Sequence, residues 1–359
     1  MNRELTIKSL FTLTRLGIGN HSDGFIGEQN DWPAVQTLAR EQGLAAIALD
    51  GIECLPDDKR PPKEITLQWI GEVTQSYEYR YELYQHAIAD LASFYSRHGM
   101  KMMLLKGYAC GINWPKPNHR PCGDIDIWLF GKQVEADIAV KEEQGLKIIT
   151  DEPHHTVFYC DGFMVENHYD FINVHHHKSN VAFETILKEL GQEDGHYIEV
   201  CGERVYVPSP NFHALFLLRH TMSHFASTNV VLRQLLDWGF FVKEHSMDID
   251  WKWLLEILEE FKMKELFDIF NAICVEDLGF SSSSFPYIQF NPVIKERVLN
   301  EILTPRGNSR TPNFLLKRVV FKYKRWKANE WKHKLCYKDS MWSAFWSGIK
   351  SHLLKPSSI

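Results

Sequence analysis

Asp124-Ile125-Asp126-Ile127 sets two carboxylates two residues apart between apolar neighbours. Side chains alternate faces along a strand, so Asp124 and Asp126 point the same way while Ile125, Ile127 and Leu129 point into a core. Two like charges held side by side repel, and an ordered, partly buried pair is stabilised by a cation between them. Hard carboxylate oxygens suit Mg2+ or Mn2+. The spacing therefore points to a metal site. Its competitor is a solvated turn at a strand end, since short acidic motifs carry little information alone.

The flanking residues add to that signal. Met102-Met103-Leu104-Leu105-Lys106-Gly107 is an apolar strand ending in Lys-Gly, and a loop holding Gly111, Pro115, Pro117 and Arg120 separates it from the acidic strand. In this arrangement the chain resembles the DNA polymerase β-like nucleotidyltransferase superfamily, whose mark is an apolar strand ending at Gly, a spacer, then Asp-x-Asp. It is more similar to that superfamily's bacterial "uncharacterised nucleotidyltransferase" family, in which Leu-Lys-Gly precedes a Pro-containing loop and an Arg-x-x-x-Asp-Ile-Asp strand. Leu105-Lys106-Gly107 and Arg120-Pro121-Cys122-Gly123-Asp124-Ile125-Asp126 match that pattern. Where the superfamily usually has Gly-Ser or Gly-Gly, this chain has Gly107-Tyr108.

The resemblance implies a third carboxylate on a later strand, in an acidic-x-His pattern that Glu166-Asn167-His168 matches. Asp124, Asp126 and Glu166 are then the catalytic, metal-holding residues, with a solvated strand position as the alternative for Glu166. Lys106, Gly107, Arg120 and Gly123 would border the nucleotide, Lys as a point charge on phosphate and Arg as a bidentate fork. The alternative for Lys106 and Arg120 is pairing with the acidic cluster. The implied reaction moves a nucleoside monophosphate from a triphosphate such as ATP to an acceptor, with Mg2+ or Mn2+ as cofactor. The acceptor could be a small molecule, a protein or RNA. The rival reading is a non-catalytic nucleotide-binding or regulatory protein that keeps the fold.

Other elements must bring these groups together. Apolar spacing predicts helices over 4–16 and 32–48, the second capped by Asp31 before Trp32-Pro33, then a long helical stretch over about 64–98 ending at His98-Gly99. A helix from Val134 to Gly145 and a short strand Leu146–Ile149 follow. Thr156–Cys160 and Phe163–His168 flank Asp161-Gly162, a strong hairpin signal, and place Met164, Glu166 and His168 on one face. From about 209 the pattern is helical: Asn211–Ala226, Val230–His245 with Arg233 and Asp237 one turn apart, a helix begun by Asp250, and Lys264–Leu278. Ser281–Ser284 reads as a linker. His168, His220, His224 and Asp237 are candidates for an acceptor pocket, or else helix-face histidines bonded to neighbours such as Asp237. Adjacent histidines cannot all aim at one ion, so His154-His155 and His175-His176-His177 read as loops rather than a zinc site.

The expected class is α+β: a nucleotidyltransferase-type mixed sheet with N-terminal and C-terminal helical segments. The expected division is 1–64 helical, 65–208 nucleotidyltransferase core, 209–304 helical domain, and 305–359 a basic aromatic tail. With 359 residues, 44% apolar and 24% charged, the chain can bury a substantial core. No apolar run reaches membrane-span length, the N-terminus lacks a signal core, and seven cysteines without Cys-x-x-Cys fit reduced thiols, so a cytoplasmic location is expected. The tail holds 13 Lys and Arg against Glu330 and Asp339, a net of +11 that leaves −17 for the rest. With Trp326, Trp331, Trp342, Phe345 and Trp346 interleaved, it suits a nucleic-acid or membrane surface, or docks on the acidic body, the reading favoured here.

Overall fold

The computed structural model describes residues 3–20, 30–152, 154–175, 177–192, 196–227, 230–286, 288–304, 323–324 and 326–343. The N-terminal segment forms α1 (Arg3–Gly17), α2 (Trp32–Glu41) and α3 (Ala45–Glu53). Asp31 caps α2 by accepting the Ala34 N–H at 3.1 Å, with Pro33 in the first turn. Gly43, at φ +69°, ends α2, so the single helix expected over 32–48 is two. The stretch expected to be helical next is α4 (Lys63–Val73), passing through a π turn at Thr74–Glu78 into α5 (Tyr79–Arg97).

The central segment contributes β1 (Met103–Leu104), α6 (Tyr108–Gly111), β2 (Ile125–Trp128), α7 (Gln133–Glu143), β3 (His155–Cys160), β4 (Phe163–His168), α8 (Ser179–Gly191), β5 (His196–Val200) and β6 (Glu203–Val207). The strands form one mixed sheet in the order β3-β4-β2-β1-β6-β5. β2 runs parallel to β4 and β1 to β6, and the other pairs are antiparallel. The α+β class is as expected. Asp161 and Gly162 both take positive φ, the turn that the Asp-Gly signal demands. Cys201-Gly202 makes a second such turn between β5 and β6, which sequence reading passed over because Cys-Gly lacks the Asn or Asp cue. The strand expected at Leu146–Ile149 is a single bridge from Ile149 to Val157. His155 opens β3 rather than lying in a loop.

Alternation divides the sheet between two apolar clusters. Leu104, Ile125, Ile127, Leu129, Phe163 and Val165 face α5 and α7. Met103, Leu105 and Trp128 face the opposite way, into a larger cluster built mostly from helices. Those helices include α9 (Pro210–Ser227), α10 (Leu232–His245), α11 (Trp251–Glu260), α12 (Lys264–Ala272), α13 (Pro292–Leu303) and α14 (Glu330–Cys336). The larger cluster draws side chains from α1–α4, the sheet, the helical half and α14 alike. Ser281–Ser284 is not a free linker: Ser282–Ser284 form a 3-10 turn between Phe280 and Phe285, both buried in that cluster.

The described part of the tail is docked. Lys332, fully buried, pairs with Glu301 at 2.6 Å, and Trp331 packs on Phe225 with the Arg297 guanidinium 4.0 Å from its ring centre. Arg219 donates to the Cys336 carbonyl at 2.8 Å and stacks over Tyr337. Trp342 is exposed, and Phe345 and Trp346 lie outside the described residues. No helix among the described residues is long and apolar enough to cross a membrane.

Candidate active site

Strand register assembles the acidic residues. Asp126 on β2 lies beside Glu166 on the parallel β4, so their side chains leave the same face. Asp124 precedes β2, and its main-chain carbonyl accepts the Tyr84 hydroxyl of α5 at 2.6 Å. One carboxylate oxygen from each of Asp124, Asp126 and Glu166 lies within 4.8 Å of the others. All three line a cavity of about 680 Å3 between the sheet and α9–α10.

Asp126 is the centre of this cluster and is 2% exposed. Lys106 approaches its Oδ1 at 2.6 Å and His168 Nε2 approaches the same oxygen at 3.0 Å. Burial would raise the carboxyl, but the Lys106 charge and the His168 hydrogen bond hold it well below its ordinary value. Asp124 moves the other way, raised by the charge of Asp126 and then by burial. Against the downward pull of burial, hydrogen bonds to Asp126 and Glu166 push His168 up to about 9. Asp126 Oδ2 is buried with no hydrogen-bond partner among the described residues. One oxygen each from Asp124, Asp126 and Glu166 makes a hard donor set suited to a divalent cation, and a buried carboxylate oxygen without a partner is costly unless an ion or water meets it.

Gly107 is the residue whose size matters most here. At φ +57° and ψ −104° it turns the chain from β1 into α6, and an added Cβ would stand 2.5 Å from the Tyr84 hydroxyl and 3.3 Å from the Asp124 carbonyl. Gly123 has nothing within 4 Å of such a Cβ, so its bareness keeps the cavity wall open. Tyr108, the departure from the superfamily pattern, turns away: it is buried, accepts from Gln85 at 2.9 Å and stacks on Tyr81.

Arg120 and Asp237 meet in a buried fork, Nε to Oδ1 at 2.8 Å and Nη2 to Oδ2 at 3.0 Å, and Trp114 donates to the same carboxylate at 2.9 Å. Asp237 therefore pairs with Arg120 and Trp114 rather than with the α9 histidines. His220 Nε2 is 3.5 Å from Lys106 Nζ, and the His220 and His224 rings are 4.4 Å apart. Burial and the Lys106 charge lower both imidazoles, leaving them neutral at neutral pH. Lys106, Gly107, Arg120, Gly123, Asp124, Asp126, Glu166, His168, His220, His224 and Asp237 all line the one cavity.

Three further lining residues escaped the sequence reading. Arg233, in the first turn of α10, enters no ion pair among the described residues, although Arg120 and Asp237 are near enough to influence it. Its only available cue was position, one turn before Asp237. Tyr337 closes the cavity from the tail, with His177 stacked on it at 3.6 Å. His155 stands beside Glu166.

A family model described as uncharacterised nucleotidyltransferase matches residues 28–278, more than half of the chain. The chain belongs to this family. The match spans β1, the Asp-x-Asp strand, the Glu166 strand and α9–α12, and it supports nucleotidyl transfer as the general activity. No similar protein was found among curated proteins, and no similar chain among solved structures.

Proposed function

We propose that the protein transfers a nucleoside monophosphate from a nucleoside triphosphate to an acceptor in the cavity beneath α9 and α10, in a metal-dependent reaction. The observation that carries this reading is the convergence of Asp124, Asp126 and Glu166 on one wall of the cavity, with Asp126 Oδ2 left without a partner among the described residues. In this proposal the three carboxylates hold Mg2+ or Mn2+, which when bound neutralises charge developing on the reacting phosphate. Lys106 keeps Asp126 ionised and presents its remaining N–H donors to phosphate. Gly123, with open space where a Cβ would stand, lets the triphosphate approach the backbone closely, and Gly107 makes the turn that follows Lys106. Arg120 is committed to Asp237 and fixes the wall, so Arg233 is the guanidinium we assign to phosphate. Neutral His220 turns its acceptor Nε2 to the Lys106 ammonium and so helps position that cation, and His224 beside it borders the space open to an acceptor.

The test is depletion of each nucleoside triphosphate, with and without Mg2+ or Mn2+, against a panel of small-molecule, protein and RNA acceptors, with pyrophosphate as the product measured. Metal-dependent pyrophosphate release that Asp124→Asn abolishes is expected. Triphosphate binding without turnover under every acceptor and metal would favour the nucleotide-binding, non-catalytic reading instead.

A further inference from the structure

Two imidazoles stand beside the carboxylate cluster on the same sheet face. β3 and β4 place His155 directly opposite His168 and Val157 opposite Glu166, so both rings share a face with the Glu166 side chain. His155 Nε2 lies 3.8 Å from Glu166 Oε1, and His168 Nε2 lies 3.4 Å from Glu166 Oε2. One donor atom from each of the three residues falls within 4.8 Å of the others. Ligands bound about 2.0–2.2 Å from a tetrahedral ion stand roughly 3.3–3.6 Å apart, so this set needs little rearrangement to meet on one ion.

The orientation of His168 is the second, independent observation. Its Nδ1 lies 3.2 Å from the Asp170 main-chain carbonyl, which can only accept, so Nδ1 keeps its proton, and Nε2, which shares a proton with Asp126 Oδ1 at 3.0 Å, is the nitrogen that would give up that proton to bind an ion. A ligating histidine is held in this way, by its other nitrogen donating to a carbonyl or carboxylate. His168 is 3% exposed and His155 9%, and both line the cavity. Nitrogen donors favour zinc-class ions over magnesium, which the neighbouring carboxylates suit better.

We propose that His155, Glu166 and His168 hold a divalent transition-metal ion of the zinc class, at a site adjoining the three-carboxylate site and sharing Glu166 with it. Three protein ligands leave a fourth position open toward the cavity. The proposal does not depend on nucleotidyl transfer, and an inactive protein would leave it standing.

The experiment titrates the full-length, chelator-stripped protein with Co2+, followed by visible absorption, and with Zn2+, followed by calorimetry. The expected result is near-stoichiometric binding with a Co2+ spectrum of nitrogen ligation, retained in Asp124→Asn and weakened at least about tenfold in His155→Ala and His168→Ala. His168 also bonds Asp126, so His168→Ala could fail to fold. His155, whose Nδ1 has no hydrogen-bond partner among the described residues, is the decisive position in that case. Equal affinity in wild type and His155→Ala, an all-oxygen Co2+ spectrum, or binding lost in Asp124→Asn but kept in His155→Ala would each overturn the proposal.

Discussion

The two aspartates of the Asp-x-Asp strand do different work despite their shared face. Asp126 is the counter-charge of a buried Lys106 and the partner of His168, whereas Asp124 is destabilised by Asp126. Asp124→Asn should therefore leave stability within about 1 kcal/mol of wild type, and Asp126→Asn should cost about 3–5 kcal/mol, because it strands a buried ammonium. Chemical denaturation of the two variants checks this, and equal stability would refute the asymmetry. Both should lose turnover. A similar contrast holds for the arginines. Arg120→Met strands buried Asp237 and should show mainly as lost stability, again about 3–5 kcal/mol. Arg233→Met should fold normally and weaken triphosphate binding about tenfold or more, the loss of one charge-assisted contact. Calorimetric titration of ATP into both variants separates the roles, and ATP affinity unchanged in Arg233→Met would remove Arg233 from the phosphate site.

Among the elements, α8 has the clearest mechanical task. Its Glu184 accepts the main-chain N–H of Phe171 at 2.9 Å and of Ile172 at 3.0 Å, fixing the loop that leaves β4 and lines the cavity. Burial pushes this carboxyl up from 4.5 to about 7, against the pull of those two donors. A carboxyl whose pKa is raised in the fold favours folding while protonated. Its contribution is thus fully present below about 4.5 and is lost as pH rises through about 7. Glu184→Gln stays neutral and keeps one acceptor, so it should flatten the decline in stability over that interval. Denaturation midpoints measured across the interval test it, and an unaltered slope in the variant would show that Glu184 does not titrate there.

For the whole molecule, the tail is part of the cavity wall. Tyr337 is buried, carries the Arg219 guanidinium 4.2 Å from its ring centre and lines the cavity. Tyr337→Ala should cost about 3–5 kcal/mol, as large aromatic truncations in cores do, and lower the melting temperature. Docked lysines such as Lys332 already have protein counter-charges, so binding of the full chain to RNA or anionic vesicles should be weak and shallow in its salt dependence. Tight binding with a steep salt slope would return the tail to the role of a partner surface.

The residues by themselves determined what period, punctuation and charge type can specify. The Asp124–Asp126 alternation, the Asp161-Gly162 turn and the helical spacing from about 209 each depend on neighbours in the chain, and each is found in the fold. What needed the tertiary structure was everything set by pairing across distance. The parallel β2–β4 register brings Glu166 to Asp126, the Arg120–Asp237 fork forms across 117 residues, and His155 enters the pocket only because β3 begins at it. No local rule states which carboxylate an arginine meets or which histidine comes to stand beside Glu166, since those outcomes follow from strand order and helix packing.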